Sequence, residues 1–200
     1  MTTTKYEVAP RKHAELILTM VDELLSESGL LLTQLDALAF GCGPGAFTGI
    51  RIATGIVQGL AMSADLPVVP VSTLAALAQG AISESKQVAC AIDARMGEVY
   101  WALYQADESK IMQLVGKENV CLPDSVNIPN SGSWFGVGSG WETYGVELQE
   151  QMGSSLMGFR LGDYPSAEAV CTIAVGAYQR GDAVDAAKAL PVYLRDKVTD

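Results

Sequence analysis

Apolar residues at Leu16, Ile17, Met20, Val21, Leu24 and Leu25 recur with helical spacing, and the pattern stops at Gly29, a residue suited to the left-handed position after a helix end. Pro10 suits the opening of that helix, after a short extended stretch from Lys5 to Val8. Adjacent apolar pairs widen the stripe, so the helix is expected to bury two faces. A strand over Ala37 to Phe40 follows, then a glycine-rich turn and a helix from about Thr48 to Ser63 that leaves through Asp65 and Pro67. Val68 to Val71 reads as a buried strand, and Ser72 caps a third helix over Thr73 to Ala81. Strands alternating with helices predict parallel pairing through helical crossovers.

Beyond Lys86 the periodicity changes. Val88 to Ile92 and Val99 to Tyr104 are β-prone runs on either side of DARMGE, which reads as a hairpin turning at Gly97. Tyr100, Trp101 and Tyr104 fit a half-buried strand. Trp134 to Gly138 predicts another short strand, Trp141 to Gln151 a helix, and Ser166 caps an amphipathic helix over Ala167 to Gln179. The change of pattern near Ser83 to Gln87 divides the chain into a lobe over 1–85, with the glycine loop and the first helices, and a lobe over 86–200.

Composition narrows the class. With 200 residues, 49% hydrophobic and 18% charged, the chain can bury a sizeable core without staples and is unlike a disordered tail. No apolar run reaches the ~20 residues needed to cross a bilayer, and MTTTKYEVAP lacks the apolar core of a secretion signal. These features read as a soluble cytoplasmic protein without a membrane association. Cys42, Cys90, Cys121 and Cys171 lie far apart, with no CxxC pair, and read as reduced, mostly buried thiols. Thirteen Lys and Arg against 23 Asp and Glu give a net charge of −10, a field that repels phosphate backbones, so an RNA substrate would need another subunit to hold it.

Candidate chemistry concentrates at Gly41, Gly43, Gly45, Thr48, Gly49 and Arg51, between a strand and a helix, where backbone N–H groups and the positive helix end can face an anion. The loop lacks the Lys-Ser/Thr ending of a nucleotide-triphosphate loop and the spacing of a dinucleotide fingerprint. On the residues alone, a tight strand-to-helix turn built from glycines with positive φ is the favoured account. Arg51 can meet an anion or pair with a carboxylate. Gly55 and Gly59, beside Ile52, Ile56 and Leu60, make a small-residue stripe on which another helix can pack, within the chain or from a partner. The single histidine, His13, has Ile17 four residues on, so no HxxxH metal pair exists, and no nucleophile elbow is present. No catalytic residue and no metal ligand is therefore assigned. Asp93, Arg95 and Glu98 read as a turn held by an ion pair.

In order and spacing, GPGAFTGIRIATGIVQGLA, VPVSTLAALAQ, AIDARMGEVYWALY and PVYLRD resemble the TsaB (YeaZ) family, over Lys5 to Val198. The resemblance implies an α/β fold of two actin-like lobes of the ASKHA, ribonuclease H-like kind, related to the TsaD subunit. It implies a non-catalytic partner of TsaD, which holds the metal and forms N6-threonylcarbamoyladenosine at position 37 of tRNAs reading ANN codons. It further implies TsaE as a partner, a homodimer in isolation, and tRNA reached only through the complex. No cofactor is expected on the chain alone, with ATP or ADP confined to the interface of the complex. The family's interface helices map onto His13, Ile17, Met20, Val21 and Leu24, and onto Arg51, Ile52, Gly55, Ile56 and Gly59.

The family usually opens with a strand pair resembling ILAIDTAT…CSVAL, absent ahead of KYEVAPRKHAEL here. The first lobe is therefore expected to lack two strands, through a shortened start or with their sheet positions filled otherwise. The tail stops at Thr199 and Asp200, and Cys42 and Ala46 replace a frequent Arg and Ser in the glycine loop. A small ASKHA ATPase, or a peptidase acting on TsaD, is the alternative reading.

Overall fold

The computed structural model describes residues 2–9, 12–129 and 131–195. The expected role of Pro10 and the tail at Thr199 and Asp200 lie outside the described residues. Helix α1 spans His13–Ser28 and ends as its glycine predicts, with Gly29 at φ 65° and the Leu30 N–H reaching back to the Leu25 carbonyl at 3.0 Å. It does not bury two faces, because none of its residues is fully buried. Lys5, in the extended stretch before it, pairs with Glu23 and with Glu27 at 2.9 Å.

Strand β1 (Leu38–Gly43), helix α2 (Phe47–Ala64) and strand β2 (Val68–Ser72) form the expected crossover, the two strands pairing in parallel from Leu38–Val68 to Gly43–Ser72. Gly41 and Gly43 thus belong to β1 rather than to a loop, which shrinks to Pro44–Ala46. Helix α2 buries Ile50, Thr54, Val57 and Ala61, one side of the helix, beneath which Phe40, Val68 and Ala189 pack. Burying Ile50 and Val57 is worth roughly 1.5–3 kcal/mol each. Ser72 ends β2 and caps helix α3 (Thr73–Gln79), accepting from the N–H groups of Leu74 at 3.1 Å and Ala75 at 3.3 Å.

The second sheet has five strands, in the order β5 (Met112–Cys121), β4 (Glu98–Ala106), β3 (Gln87–Arg95), β6 (Trp134–Val137) and β7 (Leu156–Arg160). Strands β3, β4 and β5 are antiparallel, while β6 and β7 continue in parallel from β3. Strands β5 and β7 escape the hydrophobic pattern: β5 buries only Met112 fully and is broken by Gly116, Lys117 and Glu118, and β7 is a short, half-buried edge strand. Strand β4 is not half-buried. Trp101 and Tyr104 are each 2% exposed and lie in cores on opposite faces, Tyr104 under α3 and Trp101 beside Trp134 and Trp141. The helix expected near Trp141 is two, α4 (Ser139–Thr143) and α5 (Gly145–Met152).

Helix α6 (Ala167–Gln179) follows with its Ser166 cap as the pattern predicts, and the Ser166 hydroxyl accepts from the Ala169 N–H at 3.1 Å. Its packing crosses the division expected at residue 85: Ala169, Val170, Ala174 and Ala177 cover Val69 and Val71 of the first sheet. The Val68–Val184 bridge and the 3₁₀ turn Ala186–Lys188 keep the chain beside that sheet. Of the thiols, Cys42 and Cys90 are buried as expected, but Cys171 is exposed. No helix among the described residues is long and apolar enough to cross a membrane.

Candidate functional site

The glycine loop, the DARMGE turn and the PVYLR segment, distant in sequence, meet at one edge of the molecule. Residues 191–195 run back across the end of β1, where the Val192 N–H donates to the Cys42 carbonyl at 2.8 Å. Gly43 sits beneath this strap at φ 115°, and a β-carbon placed on it would lie 2.5 Å from the Val192 carbonyl oxygen. The glycine is therefore required by the strap as well as by the turn. Beyond Val192, the guanidinium of Arg195 bonds Glu98, contacts the Arg95 carbonyl at 3.4 Å and reaches Met96 Sδ at 3.3 Å. Arg95, Met96 and Gly97 all have positive φ in the tight β3–β4 turn, whose Arg95 carbonyl accepts from Arg195.

The expected ion pair in this turn joins Arg95 to Asp93 at 3.2 Å; Glu98 serves the strap instead. Among the described residues Arg51 pairs with no carboxylate. Its guanidinium carbon lies 3.7 Å from the centre of the Phe47 ring, and its Nε donates to the Tyr193 hydroxyl at 3.1 Å. In the first turn of α2 Thr48 is exposed and Gly49 half-buried, with open space where a Gly49 side chain would stand, and Gly45 packs on Ile50.

The two expected partner stripes divide. His13, Ile17 and Val21 on α1 and Ile56 on α2 line a cavity of about 630 Å³ whose other walls are Leu38–Gly41 of β1 and the start of α6. Met20 and Leu24 are half-buried, as is Ile52 on α2. Gly55 and Gly59 have nothing within 4 Å of an added β-carbon, on the same helix as Met62, which is 72% exposed. Strand β1 is paired on one edge only among the described residues.

One feature had no signal in the sequence. Glu118 on β5 accepts from both Ser72 Oγ and the Tyr104 hydroxyl, so one carboxylate joins the last residue of the first sheet to the second sheet. Burial, with the Glu118 charge second, holds the Tyr104 phenol far above its ordinary range. The same two causes push the Cys42 thiol up to about 11. A glutamate in a polar strand gives no hint of such a partner. Among the described residues no cluster of three His, Cys, Asp or Glu is arranged to hold a metal ion.

A family model described as "TsaD: tRNA N6-adenosine threonylcarbamoyltransferase" matches residues 5–135. The chain is 45% identical over 200 residues to the tRNA threonylcarbamoyladenosine biosynthesis protein TsaB of Escherichia coli K12, covering 96% of this chain and 85% of that protein. The chain belongs to the TsaB (YeaZ) family. The TsaB of Haemophilus influenzae is 40% identical, over 96% of this chain and 84% of its own length. A solved structure titled as YeaZ from Pseudomonas aeruginosa superposes with a TM-score of 0.88 at 47% identity, over 95% of this chain and 88% of that one. Another, an uncharacterised Pseudomonas aeruginosa protein with similarity to peptidase YEAZ, gives 0.88 and 47% over 96% and 88%. Family membership ties the chain to threonylcarbamoyladenosine biosynthesis on tRNA, and its fold is of the actin-like, ASKHA type.

Proposed function

We propose that the chain is a non-catalytic subunit of the machinery that forms N6-threonylcarbamoyladenosine at position 37 of tRNAs reading ANN codons, and that it works by binding TsaD. The observation that carries this reading is the uncovered helix pair. Helix α1 buries no residue fully and exposes Leu18, while the open Gly55 and Gly59 of α2 leave room for a foreign helix at close range. A homodimer formed through the same helices would compete with TsaD for them, and TsaE and any ATP or ADP would join only at the assembled complex. The acidic charge of −10 supports an indirect route to tRNA.

The test is reconstitution. Mixing the chain with TsaD gives a heterodimer in sedimentation, at the expense of the homodimer, and restores modification in a reaction limited by this component. Absence of a heterodimer at micromolar concentrations refutes the reading, and cleavage of TsaD would replace it with the peptidase alternative.

A further inference from the structure

Three of the six arginines gather where the glycine loop, the hairpin turn and the strap meet, in a chain whose net charge is −10. Two of them are neutralised within the fold, Arg95 by Asp93 and Arg195 by Glu98. Arg51 differs: its contacts are the face of Phe47 and the oxygen of Tyr193, and among the described residues neither terminal nitrogen finds an acceptor. The two rings flanking it are 5.5 Å apart, and Phe47 is 42% and Tyr193 43% exposed.

We infer that Phe47, Arg51 and Tyr193 form an anchor that receives a carboxylate side chain from the partner protein, an inference that rests on the subunit reading above. An arginine framed by exposed aromatics has the composition of an interface hot spot, with apolar area at the sides and a planar, bidentate donor between. The group is held in place before binding. Tyr193 lies between two fixed points of the strap, the Val192 bond to Cys42 and the Arg195 bonds to the hairpin, while Phe47 and Arg51 share the first turns of α2. Little side-chain freedom remains to be lost on docking, which raises affinity. A single carboxylate fits better than nucleic acid because the net charge of −10 opposes the repeated charges of a phosphate backbone far more than one charge held at the guanidinium. The anchor also explains what the PVYLR motif contributes, since that segment supplies Tyr193 and locks it against α2.

The experiment compares wild type, Arg51→Ala, Arg51→Lys and Phe47→Ala for binding TsaD between about 50 and 500 mM salt, with thermal melting as the folding control. Wild-type affinity falls with salt; Arg51→Ala weakens binding roughly tenfold or more and flattens the salt dependence. Lysine restores only part, since it keeps the charge and loses the planar fork. Phe47→Ala, which leaves the arginine in place, weakens binding severalfold. A wild-type complex that Arg51→Ala and Phe47→Ala both preserve at full affinity and salt slope overturns the anchor alone. A wild type that forms no complex overturns the subunit reading and the anchor together. Direct tRNA binding by the chain alone, lost in Arg51→Ala, overturns the carboxylate in favour of phosphate.

Discussion

Replacing Gly55 and Gly59 together by glutamine should stabilise the isolated chain while blocking its partner. Both glycines lie inside the 18-residue helix α2, where glycine costs about 0.5–1 kcal/mol relative to alanine and glutamine is among the better helix formers. Neither position has an atom within 4 Å of an added β-carbon, so no clash offsets the gain. The double variant gains about 1 kcal/mol, or roughly 2–4 °C in melting temperature for a chain of this size. Two long side chains now stand where a partner helix would have to approach, and TsaD binding should weaken at least about tenfold, the equivalent of about 1.4 kcal/mol. Calorimetric melting of the isolated chain, at a dilution where no homodimer forms through the same helices, and titration with TsaD read the two effects separately. A higher melting point with undiminished binding would refute the assignment of this face to the partner. A lower melting point would refute the open geometry itself.

Other outcomes follow from the same contacts. Gly43→Ala places a β-carbon against the Val192 carbonyl at φ 115° and should cost about 2–4 kcal/mol in urea unfolding, with early proteolysis of the strap. Glu118→Leu strands the Ser72 and Tyr104 hydroxyls and should cost about 1–3 kcal/mol, whereas Glu118→Gln keeps an acceptor and costs less; equal losses would refute the bridge. Because burial raises the Cys42 thiol from 9.0 to about 11, the native state keeps a proton there that the unfolded chain has released. Stability from this group is complete below pH 9 and declines as pH rises from 9 to about 11. Urea midpoints across that window should fall less steeply in Cys42→Ala than in wild type.

Local signals sufficed wherever a residue acts on its own neighbours along the chain. Gly29 ends α1, Ser72 and Ser166 cap their helices, and the strand–helix–strand order implied the parallel β1–β2 pair. These depend on φ preference, on side-chain oxygens within three residues and on apolar periodicity, all present in the sequence itself. Strand β5 went unseen because an edge strand with Gly116, Lys117 and Glu118 satisfies its backbone through β4 rather than through a hydrophobic pattern. Strand β4 looked half-buried because its second covering layer, helix α3, comes from elsewhere in the chain.

The candidate site divides the same way. The glycine loop, the hairpin turn and PVYLR were each visible as motifs, and the family resemblance followed from them. Their meeting was not visible, since the contacts of Arg195 with Met96 and Glu98, and of Tyr193 with Arg51, join residues 97 to 142 positions apart and exist only once the chain between them has folded. The sequence alone determined the helices α1, α2, α3 and α6, the β1–β2 crossover and the β3–β4 hairpin, and which family they belong to, because propensity, capping and motif spacing are local quantities. Tertiary structure alone decided that Arg51 rests on Phe47 and Tyr193, that Glu118 joins the sheets, and which side of α2 is left open. Those are outcomes of packing, in which a residue's partner is set by what the rest of the fold brings within contact distance.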